Sequence, residues 1–152
     1  MLDNPVFLSF VFYSVLLILK MYIIAIITGQ VRLHKKVSLR VEGKKEANAD
    51  VRVTFKAFAN PEDAMRHGGT QSHHNDMENI FPFLFLGAIY SMTEPGLFFA
   101  RMHFLVFFLG RVVHSVAYLC ALKAPTRSVA YVIAQVPCFS MLLQILYAVG
   151  VQ

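Results

Sequence analysis

The chain has 152 residues, of which 57% are hydrophobic and 15% are charged, and its formal net charge is +5. Soluble domains carry about 25% charged residues, so this composition argues against a cytosolic enzyme, a disordered tail and a nucleic-acid-binding protein. In so apolar a chain, the excess of basic residues instead indicates a segment that faces anionic lipid headgroups.

The first two predicted membrane spans cover residues 6–27 and 75–92. The first is an apolar run with a single charge, Lys20, and it has the length of about 20 residues that a bilayer crossing needs. The second is apolar only from residue 80 onward, so its helix must take polar residues at its start into or near the membrane. Pro82 would kink this helix, which packed neighbouring helices tolerate.

The third and fourth predicted spans cover residues 96–122 and 126–151. A turn signal precedes the third span, and four ionisable residues interrupt its apolar run: Arg101, His103, Arg111 and His114. The fourth span has no formal charge beyond Arg127. Together the four spans predict an all-α membrane protein, in which a four-transmembrane-helix bundle forms a single domain over residues 1–152.

Basic residues mark the segment between the first two spans, which we predict to be a cytosolic loop over residues 28–74. It contains nine of the 14 lysines and arginines: Arg32, Lys35, Lys36, Arg40, Lys44, Lys45, Arg52, Lys56 and Arg66. Because basic loops favour the cytosolic side of a membrane, both chain termini are expected to face the opposite, lumenal side.

Within this loop the sequence predicts a flexible insert and a short helix. Residues 37–56 are polar, mixed in charge and without a clear period, and residues 51–55 within them are a candidate for a short strand. Asn60 and Pro61 resemble a helix cap and the first helical position. The glycine pair at 68–69 is expected to stop that helix after little more than one turn.

Polar side chains recur on one face of three predicted helices, mostly towards the cytosolic half of each. Those faces carry Asn75 and Glu78 in the second span, Arg111, His114 and Tyr118 in the third, and Arg127, Tyr131 and Gln135 in the fourth. Residues three or four apart share a helix face, and ionisable groups in a bilayer normally face a bundle interior or a polar cavity. The three faces therefore predict a polar cleft that opens to the cytosol.

The cations of this cleft also have structural interpretations that the sequence leaves open. Arg127 could anchor the topology at a membrane edge, although the first turn of a helix disfavours a cation. Arg111 and His114 could hold helices together through Glu78 or Asp76.

Other polar residues have equally plain interpretations. Tyr118 and Tyr131 could be core aromatics, Asp63 could complete a helix cap, and Lys20 could pair within the bundle. We expect no metal site, because no thiolate or carboxylate framework of zinc spacing accompanies the histidines before the second span: His67, His73 and His74.

Five segments resemble, in order, the MAPEG family, the membrane-associated proteins in eicosanoid and glutathione metabolism. They are residues 26–32 (IITGQVR), 57–64 (AFANPEDA), 75–84 (NDMENIFPFL), 111–118 (RVVHSVAY) and 124–131 (APTRSVAY). Several long motifs in the right order are more specific than one short pattern. The resemblance covers essentially the whole chain outside residues 37–56.

This resemblance implies a homotrimer of the endoplasmic reticulum and perinuclear membrane, with glutathione bound between neighbouring protomers near the cytosolic side. The implied reaction is the glutathione-dependent isomerisation of a lipid endoperoxide, prostaglandin H, to prostaglandin E. The matching glutathione-binding residues are Arg32, Asn75, Glu78, His114, Tyr118, Arg127, Ser128 and Tyr131, and the matching catalytic residues are Asp63, Arg127 and Ser128.

The implied chemistry suits those catalytic residue types. A free thiol has a pKa of about 8.5, so the site must favour the thiolate, and a hydroxyl donor such as Ser128 and a cation such as Arg127 both stabilise that charged form. Asp63 would be the base that removes the proton from the ring carbon. Because glutathione is regenerated when the ketone forms, it is expected to act as a cofactor.

Two departures from the family pattern predict weaker glutathione binding. About twenty residues intervene between the basic cluster near Arg32 and the motif that contains Asp63, which loosens how the two are positioned. The segment before Asn75 is also shortened, so that one expected arginine is missing and His74 stands where another is expected.

The sequence is also compatible with two other functions. One is a broader glutathione transferase or peroxidase of the same family, but the presence of both Asp63 and Ser128 favours the isomerase, because conjugation needs no base at a ring carbon. The other is a non-catalytic lipid-binding scaffold. The shortened segment before Asn75 favours the scaffold, whereas the retained Glu78 and Arg127 oppose it.

Overall fold

The computed structural model describes residues 3–42, 61–120, 122 and 124–151, with the backbone alone for residues 31–42, 61–68, 70 and 124. This part of the chain forms four helices: α1 (Pro5–Glu42), α2 (Pro61–Met92), α3 (Leu97–Leu119) and α4 (Ala124–Gly150). The predicted all-α fold and the four-helix protomer are confirmed.

The outer surface of these helices is apolar. Large exposed hydrophobic side chains occur on every one of them, including Phe12, Phe85, Phe98 and Leu143. Contiguous apolar surface of this kind belongs against lipid rather than water. Three helical stretches are long and apolar enough to cross a membrane: Pro5–Gln30, Leu97–Leu119 and Pro125–Gly150. Helix α2 does not reach that composition because its first half is polar.

An aromatic core joins the first three helices. Phe83 of α2 stacks on Phe107 of α3 with ring centroids 3.9 Å apart, and Phe104 of α3 meets Phe83 edge-on at 6.1 Å. Phe10 of α1 and Tyr90 of α2 also pack on Phe104. Each such aromatic pair adds about 0.5–1.5 kcal/mol beyond apolar burial, so this core fixes how α1, α2 and α3 pack together.

Helix α2 begins at Pro61, as the cap signal predicts, but the prediction that the glycine pair at 68–69 stops it is wrong. The helix continues to Met92. Gly69 is buried against α1, where an added Cβ atom would lie 2.5 Å from Thr28 Oγ1. A glycine inside a helix costs about 1 kcal/mol relative to alanine, and the close contact between two helices outweighs that cost.

The segment predicted as a loop, residues 28–74, is helical at both of its described ends. Helix α1 continues through basic residues to Glu42, and α2 supplies the other end. Lysine, arginine and leucine are good helix formers, so nothing local ends α1 near the membrane surface. The predicted insert at 37–56 begins within α1, and the rest of it, including the candidate strand at 51–55, lies outside the described residues. The membrane boundaries along each helix stay a prediction.

Gly110 sets the distance between α3 and α4. An added Cβ atom at this position would lie 2.9 Å from the Cβ atom of Ala134 and 3.1 Å from its backbone. Because that backbone can yield only if a helix moves, Gly110→Ala is expected to destabilise the protein by about 1–3 kcal/mol. The change is measured as a fall in Tm by circular dichroism in detergent.

Gly29→Ala is the matched control for this substitution. Gly29 is also helical, but no atom of the described residues lies within 4 Å of an added Cβ there. Alanine is the better helix former, so this variant is expected to keep or slightly raise the Tm. An equal fall in both variants would contradict the packing role of Gly110.

Candidate active site

A buried group of charges joins α1, α2 and α3. The Lys20 ammonium lies 2.7 and 2.8 Å from the two carboxylate oxygens of Asp76, and Arg111 Nη2 donates to Asp76 Oδ1 at 2.5 Å. The side chains of Asp76 and Arg111 are 0% exposed, and that of Lys20 is 12% exposed. One carboxylate is therefore shared by two cations inside the bundle. We call these three residues the Asp76 cluster.

Hydrogen bonds extend the Asp76 cluster along α2 and α3. Ser115 Oγ donates to Asp76 Oδ2 at 3.4 Å, and Ser72 Oγ donates to Ser115 Oγ at 2.9 Å. Arg111 Nη2 also donates to Asn75 Oδ1 at 2.8 Å. A buried ion pair with this many additional bonds holds its helices in one arrangement. The Asp76 cluster therefore ties α1, α2 and α3 together.

The structural interpretations of Arg111 and Lys20 are confirmed. Arg111 holds helices together through Asp76, and Lys20 pairs within the bundle. Arg111 thus faces the bundle interior instead of the predicted cleft. Glu78, the other carboxylate that its spacing allowed, has its Oε1 atom 3.2 Å from His74 Nδ1, and this pair is exposed, at 58% and 71% of the two side chains.

Four predicted site residues meet where α3 ends and α4 begins. The ring centroids of His114 and Tyr118 lie 4.8 Å apart, and those of His114 and Tyr131 lie 6.3 Å apart. The Arg127 Cζ atom lies 4.8 Å from the centroid of the Tyr118 ring, which is a cation–π contact. We call these four residues the α3–α4 cluster.

The path of the chain brings the α3–α4 cluster together. Helix α3 ends at Leu119 and α4 begins at Ala124, so the last turns of one helix lie beside the first turns of the other. Each helix contributes two residues that are four positions apart and share one face. The close approach at Gly110 and Ala134 brings those faces into contact.

The α3–α4 cluster suits an anionic ligand. Arg127 lies in the first turn of α4, where unpaired backbone N–H groups also favour an anion, and its side chain is partly exposed. Ser128 is the exposed neighbour of Arg127. The Nδ1 atom of His114 is buried and has no hydrogen-bond partner among the described residues. A bound molecule or a neighbouring subunit could satisfy this atom.

Asn75 belongs to a chain of hydrogen bonds that leads from the Asp76 cluster to α4. Its side-chain oxygen accepts from Arg111, as described, and its backbone carbonyl accepts from Asn79 Nδ2 at 2.7 Å. Asn79 Oδ1 in turn accepts a hydrogen bond from Gln135 Nε2 of α4. This chain of hydrogen bonds connects the Asp76 cluster to the helix that carries Arg127 and Tyr131.

Four predicted site residues make no contact with the α3–α4 cluster in the described part of the chain. Asn75 contacts Arg111 and Asn79 instead. Glu78 is exposed and pairs with His74. Arg32 belongs to α1 and Asp63 to α2, but their side chains lie outside the described part. The site roles of these residues, and of every other predicted site residue, stay predictions.

Two cavities lie at the opposite end of the bundle. One has a volume of about 350 Å³ and is lined in part by Tyr90, Gln144 and Tyr147. The other has a volume of about 420 Å³ and is lined in part by Phe12 and Arg101. The α3–α4 cluster lines neither of them. His114 is buried, but Tyr118, Arg127 and Tyr131 are partly exposed, so one protomer alone does not enclose the cluster.

Sequence reasoning missed the central place of Asp76. Ser72, Asp76 and Asn79 follow one another at helical spacing, and Ser115 follows Arg111 by four positions. Polar residues that recur on one face of a membrane helix indicate a polar network between helices. The spacing was therefore a usable signal, although it does not reveal which residue is the shared partner.

Comparison with known proteins finds similarity over nearly the whole chain. The MAPEG family model matches residues 10–147. Prostaglandin E synthase of Bos taurus is 51% identical over 160 residues, covering 97% of this chain and 92% of that protein. The Canis lupus familiaris protein of the same name is 53% identical over 152 residues, covering 91% and 86%. Microsomal glutathione S-transferase 1 of Mus musculus is 31% identical over 163 residues, covering 96% and 92%.

Proposed function

Because the chain belongs to the MAPEG family, we propose that it isomerises the lipid endoperoxide prostaglandin H to prostaglandin E with glutathione as cofactor. It is a multi-pass integral membrane protein. We further propose a homotrimer in the endoplasmic reticulum and perinuclear membrane, with both termini lumenal. The prostaglandin E synthases that are 51% and 53% identical to the chain support the reaction.

The α3–α4 cluster is the observation that carries this proposal. Arg127, the cation proposed for both binding and catalysis, contacts Tyr118, and the Tyr118 ring in turn contacts His114. Glutathione is net anionic at neutral pH, so a cation beside polar aromatic rings suits its carboxylates. The buried His114 Nδ1 atom, which lacks a partner in the described structure, is a further group available to the ligand.

Three side chains are proposed to carry the chemistry. Bound glutathione would supply a thiolate sulfur as nucleophile toward one peroxide oxygen, so that the O–O bond breaks, the second oxygen takes up a proton to become a hydroxyl, and the thiol is regenerated when the ketone forms. Ser128 donates a hydrogen bond to that sulfur and Arg127 stabilises its negative charge, because both interactions favour the ionised form of a thiol. Asp63 accepts the proton from the ring carbon that carries the attacked oxygen. The electron pair of that C–H bond then forms the C=O bond of the ketone as the oxygen–sulfur bond breaks.

We place the binding site between protomers. Tyr131 is 39% exposed, so the α3–α4 cluster has an open side against which a second protomer can pack. A neighbouring α2 that packs there would bring Asn75 and Glu78 to the cluster. Arg32 is then proposed to pair with a glutathione carboxylate, and Glu78 with its amine.

Product analysis on the purified chain tests the proposed function. Prostaglandin H with glutathione should give prostaglandin E far faster than spontaneous decay does, and omission of glutathione should return the rate to that background. An equal enzyme-dependent rate with and without glutathione would overturn the proposal that glutathione is the cofactor. Product at the background rate in the presence of glutathione would overturn the activity.

A broader glutathione transferase or peroxidase is the second candidate, and the 31% identity to microsomal glutathione S-transferase 1 favours it. Turnover of a chlorinated aromatic acceptor far above that of the endoperoxide would place this candidate first. The non-catalytic scaffold makes a different prediction, namely that glutathione leaves the Tm unchanged. Only a ligand that binds the folded state raises the Tm.

Glutathione is expected to bind this chain at least about tenfold more weakly than it binds the bovine relative. The shortened segment before Asn75 lacks an expected arginine, and a lost hydrogen bond to a charged group costs about 1.5–3 kcal/mol. Calorimetry of both proteins in one detergent measures the two Kd values. His74→Arg adds a cation to this segment and should recover part of the affinity. Equal Kd values for the two unmodified proteins would contradict this expectation.

A further inference from the structure

A groove between α1 and α3 lies at the end of the bundle opposite the α3–α4 cluster. Its volume is about 420 Å³, and its lining residues are Pro5, Leu8, Ser9, Phe12, Tyr13 and Arg101. We propose that this groove binds the phosphate headgroup of a membrane phospholipid and that Arg101 is the residue that holds the phosphate.

Arg101 is an exposed cation on an apolar helix. It lies near the start of α3, and its neighbours Phe98, Phe99 and Met102 are exposed hydrophobic residues. A charge among lipid-facing side chains is costly unless it is paired or reaches the headgroup region. No acidic side chain pairs with Arg101 within the part of the chain that the structure describes. We therefore expect the Arg101 charge to be neutralised by an anion that does not belong to the described part of the chain.

Ser9 holds the guanidinium at the groove. Arg101 Nε donates to Ser9 Oγ at 3.1 Å, and Ser9 Oγ donates to the Pro5 carbonyl oxygen at 2.8 Å. This anchoring uses the Nε atom and leaves both terminal Nη atoms of Arg101 without a described hydrogen bond. Two N–H groups of one guanidinium match two phosphate oxygens in bidentate geometry.

The rest of the groove suits the apolar part of a lipid. Leu8 and Phe12 line it and are 48% and 59% exposed, so the surface beside the cation is hydrophobic. An amphiphile whose anionic group lies against Arg101 can place its acyl chain along this wall, which a free phosphate ion would leave uncovered. The pairing of a cation with an apolar wall therefore favours a phospholipid.

Lipid binding by the delipidated full chain in a neutral detergent tests this site. Phosphatidylglycerol is expected to raise the Tm, whereas a diacylglycerol with the same acyl chains, or inorganic phosphate, is expected to have little effect. Arg101→Gln should weaken phosphatidylglycerol binding about tenfold, because a charge-assisted pair is lost. The Tm without lipid should stay close to that of the unmodified chain.

His103→Gln is the matched control. His103 lies on the same turn of α3, but its Nε2 atom is 2.8 Å from Ser140 Oγ of α4, away from the groove. This variant should bind phosphatidylglycerol as the unmodified chain does, so a loss equal to that of Arg101→Gln would overturn the site.

Three further results would also overturn the proposal. One is an equal Tm rise from diacylglycerol, which would show that the apolar wall binds the acyl chains without a phosphate contact. Another is a Tm rise from inorganic phosphate alone as large as that from phosphatidylglycerol, which would show that the acyl chains are not needed. The third is a changed oligomeric state of Arg101→Gln, measured by light scattering, with unchanged lipid affinity. That result would assign Arg101 to a contact between subunits.

Discussion

Arg127→Ala is expected to lower the rate of glutathione-dependent prostaglandin E formation by at least about a hundredfold, the usual effect of removing one preorganised group that stabilises developing charge. Arg127 contacts Tyr118 at 4.8 Å and is the cation proposed to stabilise the sulfur. Chromatographic analysis of the product at saturating endoperoxide measures the rate. Calorimetry with glutathione then separates a loss of binding from a loss of chemistry.

Two variants make this prediction specific to Arg127. Arg127→Lys keeps the charge but loses the planar, stacking guanidinium, so its activity should lie between those of Arg127→Ala and the unmodified chain. His103→Gln removes an ionisable side chain at the opposite end of the bundle and should leave the rate nearly unchanged. An Arg127→Ala rate within about threefold of the unmodified chain would exclude the catalytic role, since that difference is under 1 kcal/mol.

Asp76→Ala is expected to destabilise the protein by about 3–5 kcal/mol, because breaking a buried ion pair leaves uncompensated charge in an apolar interior. Here two cations, Lys20 and Arg111, lose the one carboxylate that they share. The fall in Tm is measured by thermal unfolding followed by far-UV circular dichroism, which reports helix content. The yield of monodisperse protein on size exclusion is expected to fall with it.

Glu78→Ala is the matched control for stability. It removes a carboxylate two positions away in the same helix, but one whose pairing with His74 is exposed, and exposed pairs contribute about 0–1 kcal/mol. Equal losses of Tm for Asp76→Ala and Glu78→Ala would contradict the central role of Asp76.

A third variant keeps the test informative even where Asp76→Ala fails to fold. Replacing Lys20, Asp76 and Arg111 together by methionine, leucine and methionine removes all three charges. Buried ion pairs replaced by well-packed apolar residues are often neutral for stability, so this variant is expected to recover most of the lost Tm. A triple variant as unstable as Asp76→Ala would show that the charges are not the cause.

Much of the fold and part of the site could be predicted from local features of the chain. Apolar runs of bilayer length predicted the helices, and spacing by four placed His114 with Tyr118 and Arg127 with Tyr131 on shared faces. The short connection between α3 and α4 then made contact between those two faces a natural expectation. These features could be predicted because they depend on residues that are close in sequence.

Features that depend on distances between helices could not be predicted from the sequence. Spacing allowed Arg111 to pair with either Asp76 or Glu78, and only the rotation of α2 about its axis turns Asp76 inward and Glu78 outward. The glycine pair at 68–69 is a helix stop by local propensity, yet Gly69 lies inside α2 because α1 passes close to it at Thr28.

Hydrophobicity, charge and helical spacing belong to the chain itself, so the amino-acid order alone determined a membrane-embedded bundle of helices with polar faces. Which of those polar groups pair in the interior and which stay open to a ligand was decided by the tertiary structure. The physical reason is that an ion pair or hydrogen bond needs its partners within a few ångströms, and the distances between residues far apart in sequence exist only once the helices have packed.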